Sequence, residues 1–117
     1  MTAEEAKQWE EHAARYLAEK GYRIVKRNFR FGKVGEIDIV CYDDQTLVFV
    51  EVKARNNYAY GTPEESVNVR KQMQLKRVAR MYYSVNKLVD QNCRFDVVAI
   101  DHIFGKTEVR HHIGAFY

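Results

Sequence analysis

A chain of 117 residues that is 46% hydrophobic and 30% charged, with 19 Lys+Arg against 16 Asp+Glu and a formal net charge of +3, has the size and apolar content of one domain around one core. Those values exclude a disordered tail, a repeat array and a two-domain enzyme. No uninterrupted apolar run exceeds four residues, as at 47–50, and the acidic start Thr2-Ala3-Glu4-Glu5 has neither the basic nor the apolar region of a signal peptide, so no membrane partner and a cytoplasmic location are expected.

Residues 3–20 read as a helix: Ala6, Ala13 and Leu17 recur on one face, flanked by Trp9, Ala14 and Tyr16, and Gly21 supplies a C-terminal stop. Glu10 falls in the middle of that apolar arc, whereas Glu4, Glu5, Glu11 and Glu19 fall on the other side, so Glu10 is expected to face the core or a cleft. Segments 22–31, 36–42 and 46–54 are rich in β-branched and aromatic residues and are separated by the turn-like Gly32-Lys33-Val34-Gly35 and Asp43-Asp44-Gln45, which predicts a three-stranded meander. A loop over 55–61 leads to Thr62-Pro63-Glu64-Glu65, a capping box with proline at the first helical position, from which one long helix is expected to run to about Leu88. Its apolar row is Val67, Leu75, Val78, Tyr82 and Val85, interrupted by one charged residue, Lys71, while Arg70, Lys76, Arg77, Arg80 and Lys87 occupy an adjoining arc. Residues 95–103 and 107–113 read as strands around the turn Phe104-Gly105-Lys106, followed by an apolar tail Ala115-Phe116-Tyr117. The order α-β-β-β-α-β-β, with the second helix as a right-handed crossover, predicts an α/β protein, more closely an α+β mixed sheet with helices against it, in one domain spanning 1–117.

Chemistry enters through the strands. Side chains alternate faces, so Glu36, Asp38 and Val40 are expected on one face and Ile37, Ile39 and Cys41 on the other; in the next strand Val48, Val50 and Val52 form the apolar face, leaving Glu51 and Lys53 together on the opposite one. Charged groups near the centre of a hydrophobic strand cost free energy unless they are paired or hold a cation. A cross-strand ion pair would account for one acid and one lysine. It does not account for Glu36, Asp38 and Glu51 with a single lysine, nor for Glu10 and Lys71 projecting from apolar rows of two helices. An excess of carboxylates on neighbouring strands suits Mg²⁺ or Mn²⁺, which keep waters and accept a substrate phosphate as a further ligand.

Asp38, the thirteen-residue step to Glu51, and Glu51-Val52-Lys53 resemble the PD-(D/E)XK signature of the restriction-endonuclease-like nucleases, with Ile37-Asp38 in place of Pro-Asp. More specifically, Glu10-x-x-Ala13, Leu17, Gly21-Tyr22, Arg27-Asn28-Phe29-Arg30, Gly35-Glu36-Ile37-Asp38, Phe49-Val50-Glu51-Val52-Lys53-x-Arg55, Tyr60-Gly61, Lys71 and Arg94-Phe95-Asp96-Val97-Val98 follow in order the pattern of the YraN-like family of small bacterial proteins, over nearly the whole chain. That family is similar to archaeal Holliday-junction resolvases in fold and motif. The resemblance implies a restriction-endonuclease-like core in which Asp38 and Glu51 are metal ligands, Lys53 stabilises charge on the scissile phosphate or positions the attacking water, and Glu10 completes the acidic cluster. Glu36 is implied as a further carboxylate of the site or as a plain strand residue. Arg27, Arg30, Arg55 and the basic helix arc, with Lys71, Arg77 and Arg80, would hold a phosphate backbone.

The small net charge hides two acid-free basic stretches, 23–33 with five Lys or Arg and 66–89 with six. They favour a nucleic acid partner, most simply DNA, over a protein-interaction domain. The leading expectation is therefore a Mg²⁺- or Mn²⁺-dependent nuclease on DNA, in a branched or junction form, for which a twofold homodimer would be suited. The alternative is a catalytically inactive DNA-binding accessory module on the same scaffold. His12, His102, His111 and His112 lack metal-type spacing and read as surface residues, and Cys41 and Cys93 read as reduced packing residues. Among Tyr58, Tyr60, Tyr82 and Tyr83, Tyr82 belongs to the core row and the others are as consistent with packing as with stacking on bases, so no base-reading role is assigned.

Overall fold

The computed structural model describes residues 1–117. Helix α1, Ala3–Glu19, is capped by Thr2, whose hydroxyl accepts from the Glu5 amide, and acids fill its first turn, where they complement the helix dipole. It ends in a Schellman arrangement: Tyr22 N donates to the Leu17 carbonyl, Gly21 N to that of Ala18, and Gly21 sits at φ +95, a region glycine enters without a Cβ clash. Strands β1 (Arg23–Phe31), β2 (Gly35–Asp43), β3 (Thr46–Arg55), β4 (Cys93–Ile103) and β5 (Lys106–Phe116) form one sheet in that spatial order. All neighbours are antiparallel except β3 and β4, which run parallel and are joined through helix α2, Val69–Val85. This is the mixed α+β architecture and element order expected. No helix is long and apolar enough to cross a membrane.

The sheet separates two apolar layers. Ala13, Ala14 and Leu17 of α1 pack on Ile39, Val48, Val50 and Ile100, while Leu75, Val78 and Tyr82 of α2 pack on Val40, Leu47, Phe49 and Val97. Central β3 is therefore apolar on both faces, and fully buried side chains such as Leu17 and Phe49 contribute about 2 kcal/mol each. Phe49, Phe95 and Phe116 stack at centroid distances of 5.4 and 4.9 Å, which incorporates the apolar C-terminal tail into β5 as a strand rather than leaving it a tail.

Several details depart from the sequence reading. The long helix is divided: Pro63–Ser66 is a 3-10 turn capped by Thr62, Val67 is buried at the break, and α2 starts afresh with Asn68 as its cap and ends at Val85. A second capping residue three positions before Lys71 competes with the Thr62 box, and burying Val67 fixes the corner. Val85, at the helix end, is exposed, and Ala79 takes the core position instead. Strict alternation fails in β2, where Ile37 packs with Val40 in the α2 layer and Ile39 in the α1 layer. His111 is not at the surface: its side chain is 2% exposed, with Nε2 2.8 Å from an oxygen of the fully buried Asp96. Cys93 is exposed, whereas burial pushes the Cys41 thiol up to about 12.

Candidate active site

The break in β2 places the site. The β2–β3 ladder stops at Ile39 opposite Val50, and the next free donor of β3, Val52 N, is taken by the Asp38 carboxylate at 2.8 Å. Across β1, the pairs Arg27–Ile39 and Phe29–Ile37 bring Asn28 opposite Asp38, and Asn28 holds φ +53, a left-handed conformation uncommon within a strand. Its amide nitrogen donates to Glu10 Oε1 at 2.8 Å, tying α1 to the sheet at this point. Where β2 and β3 part, a cleft of about 340 Å³ opens, lined by Met1, Ala6, Trp9, Glu10, Glu36, Asp38, Glu51, Val52, Lys53, Ala54 and Lys71.

Six residues singled out by sequence thus meet in one cleft: Glu10, Glu36, Asp38, Glu51, Lys53 and Lys71. Glu51 is 3% exposed and has two ammonium neighbours, Lys71 Nζ at 3.2 Å and Lys53 Nζ at 4.0 Å from Oε2. Neither is aligned as a hydrogen-bond donor, so Oε2 is a buried carboxylate oxygen without a hydrogen bond. Burial and the neighbouring Glu51 charge push the Asp38 carboxyl well above the usual carboxylate range, outweighing the Val52 N–H that favours its ionised form. Glu36 lies at the rim, with Arg30 Nη1 3.6 Å from Oε2.

Two adjacent carboxyls, one held toward its neutral form and the other with an unsatisfied oxygen, fit a divalent cation electrostatically, because the cation would ionise the first and coordinate the second. No group of three or more His, Cys, Asp or Glu side chains is arranged to hold a metal, so this geometry offers Asp38 and Glu51, with water and phosphate oxygens left to complete a hard octahedral shell. Glu10 reaches the same cleft but is engaged by Asn28.

The basic residues fare differently. Arg55 is consumed internally: Nε and Nη2 donate to Asp101 at 2.9 and 3.0 Å and Nη1 to the Gly61 carbonyl at 2.8 Å. Arg27 donates to Glu11 at 2.9 Å, and Arg30 is largely exposed beside Glu36. Arg70 and Arg77 line a second groove of about 650 Å³, which shares Lys71 with the cleft, and Arg80 is exposed on the same helix. Sequence reasoning missed the roles of Asn28, of Trp9 in the cleft wall, and of Gln74, which donates to the Val34 carbonyl and anchors the β1–β2 turn to α2. Asn28 lies within the recognised Arg27-Asn28-Phe29-Arg30 run, but nothing in that run signals a positive φ.

A mixed five-stranded sheet between two helices, with a carboxylate–lysine cleft where two of its strands part, is the class of domain these features define, and it is consistent with a restriction-endonuclease-like core. The chain belongs to the uncharacterised protein family UPF0102, whose profile matches residues 9–100. A UPF0102 protein of Alkaliphilus oremlandii is 45% identical over 109 residues, covering 92% of both chains. One from Syntrophomonas wolfei is 45% identical over 107 residues with the same coverage, and one from Moorella thermoacetica is 48% identical over 88 residues, covering 75% of this chain and 72% of the relative.

Proposed function

We propose that this protein is a divalent-metal-dependent phosphodiester hydrolase acting on DNA. The observation that carries the reading is the buried Glu51 Oε2, left without a hydrogen bond beside the raised Asp38 carboxyl and two lysines in one open cleft. Asp38 and Glu51 would hold Mg²⁺ or Mn²⁺. When bound, the cation supplies Lewis-acid neutralisation of phosphoryl charge and lowers the pKa of a coordinated water. Lys53, 36% exposed and lining the cleft, would stabilise negative charge developing on the phosphate or orient the attacking water. Lys71 compensates Glu51 and contributes positive charge toward the phosphate, while Asn28 orients Glu10 at the wall. Exposed Arg70, Arg77 and Arg80 on α2 would track the backbone of the DNA strand leaving the cleft.

One observation favours a second reading. Lys71 Nζ stands closer to Glu51 than Lys53 does, so the protein's own ammonium already compensates the carboxylate, as it would in a binding module that has no need of metal. Calorimetric titration of Mn²⁺ into the wild type and Asp38→Ala, alongside cleavage of labelled linear, flapped and four-way DNA with and without Mn²⁺, decides between the two. Hydrolysis requires metal binding that Asp38→Ala loses together with cleavage. DNA binding with no metal uptake at millimolar Mn²⁺ leaves the accessory-module reading.

A further inference from the structure

The segment that joins β3 to the 3-10 turn leaves two tyrosines to solvent, Tyr58 at 63% and Tyr60 at 92% exposure. It is a shaped loop. The Asn57 side-chain oxygen accepts from Ala59 N at 2.9 Å, and Arg55 closes the base through the Gly61 carbonyl while its guanidinium lies 4.9 Å from the centre of the Tyr58 ring. A shallow depression of about 260 Å³ runs from Tyr60 to Lys53 and Ala54, and these two residues also line the carboxylate cleft. Through Lys71 the cleft also continues into the groove of Arg70 and Arg77. The cleft thus adjoins both a basic groove and a depression that ends at an exposed aromatic ring, and the two meet at Ser66.

We infer that Tyr60, on the loop braced by Arg55 and Tyr58, is a stacking platform for an unpaired nucleobase beside the phosphate held in the cleft, so that the substrate class is DNA with splayed or single-stranded nucleotides at that point. The chemistry follows from what each half of a nucleotide offers. Phosphates are held by the basic groove without regard to sequence, but a base inside a duplex already has both faces stacked and presents none to a protein ring. An aromatic side chain beside a phosphate site gains stacking energy only from a base out of its helix, and any base serves because each has a π-face. This inference rests on the cleft being the DNA site, and it deepens that reading by naming which DNA enters.

The test measures binding alone, in EDTA, so that cleavage does not enter. Fluorescently labelled blunt duplex, 5′-flapped duplex and four-way DNA are titrated with wild type, Tyr60→Phe and Tyr60→Ala, with 2-aminopurine at the first unpaired position of the flap. Tyr60 is almost fully exposed, so its loss leaves the fold intact. Wild type and Tyr60→Phe are expected to prefer the flapped over the blunt duplex by roughly tenfold and to quench 2-aminopurine; Tyr60→Ala should lose both the preference and the quenching while its affinity for blunt duplex stays within about twofold. A Tyr60→Ala variant that keeps the preference, or weakens every substrate equally, or a wild type with no preference, overturns the platform. Set beside the separate Mn²⁺ cleavage assay, no cleavage with the preference intact overturns the hydrolase reading alone, and cleavage without the preference overturns only the platform.

Discussion

Glu51 has two lysines within reach, and their geometry assigns them different work. Lys53 lies at 4.0 Å, on the same strand and facing the cleft, where it contributes little to holding Glu51 in place. Lys53→Ala should therefore abolish Mn²⁺-dependent cleavage while leaving DNA affinity within a few fold, as read by single-turnover cleavage beside equilibrium binding, because it stabilises charge at one phosphate among many. Equal losses of cleavage and affinity would make it a binding residue only. Lys71 lies at 3.2 Å, reaching from α2, and its removal strands a carboxylate that is 3% exposed. Lys71→Met keeps the alkyl stem and removes the charge, so in EDTA it should lower stability by about 2 kcal/mol, the cost of taking the compensating charge from a buried carboxylate, reduced from that of a fully buried pair because Lys71 is 28% exposed. For a domain of this size that is a fall of roughly 8 °C in Tm. Added Mn²⁺ should raise the Tm of the variant more than that of wild type, since the cation then supplies the missing charge. Identical melting curves for the two proteins with and without metal would remove Lys71 from the site.

At the level of elements, the contrast is between what periodicity carries and what a single backbone angle carries. The sharing of one face of β3 by Glu51 and Lys53, opposite Val48, Val50 and Val52, and Glu10 projecting from the apolar arc of α1 were legible, because each follows from a repeat of 2.0 or 3.6 residues. The parting of β2 from β3 was not. It depends on Asn28 at φ +53 and on Asp38 taking the Val52 amide in place of a ladder carbonyl, neither of which leaves a periodic trace. The division of the second helix was likewise hidden, since Thr62 and Asn68 are both good caps and burial of Val67 decides that both are used. Asn28 can be dissected accordingly. Asn28→Gly keeps the left-handed backbone and loses the amide to Glu10, whereas Asn28→Asp keeps the shape and sets two carboxylates against each other. Mn²⁺ affinity should be altered more by Asn28→Asp than by Asn28→Gly, with Tm nearly unchanged in the glycine variant; equal metal affinity in all three proteins would make the Asn28–Glu10 bond purely structural. The arc of α2 supplies the complementary element. Arg77→Ala with Arg80→Ala should weaken binding to every DNA and shallow the dependence of log affinity on log salt by about 1.8, or about 0.9 for each phosphate that the variant no longer neutralises. An unchanged slope would leave the arc a solvated face.

Across the whole molecule, partly buried ion-pair networks join the strands and, through them, the loop beside the cleft. Arg94 donates to Asp43, to both oxygens of Asp96 and to the Tyr22 hydroxyl, with His111 Nε2 also on Asp96 Oδ2, which ties β4 and β5 to the start of β1. Arg110 of β5 pairs with Asp101 of β4 at 3.0 Å and with Glu64 of the 3-10 turn at 2.6 Å, while Asp101 also receives Arg55. From sequence alone the same residues suggest a phosphate-binding Arg55 and scattered surface histidines, because those that meet here come from six segments of the chain and share no spacing. Their energetics are visible in two carboxyls. Hydrogen bonds from Arg110 and His112 hold Glu64 at about 2, against an ordinary 4.5, and those from Arg55 and Arg110 hold Asp101 at about 2, against 3.8. A depressed carboxylate binds fewer protons folded than unfolded, so its stabilisation is complete above the unfolded value and is lost as pH falls through the folded one. The share of stability that these two carboxylates carry should thus be intact down to about pH 4.5 and be lost between there and about pH 2, as read from the difference in urea midpoints between wild type and a variant lacking their shared arginine. Arg110→Met releases both carboxyls from their shared partner. It should be less stable than wild type at about pH 7 by about 2 kcal/mol, below the scale of breaking a fully buried pair because Arg110 and Glu64 are partly exposed, and its decline below about pH 4.5 should be shallower, so that the two curves converge toward about pH 2. Parallel curves would mean that Arg110 only packs against its neighbours, and that Arg55 alone holds the base of the Tyr60 loop.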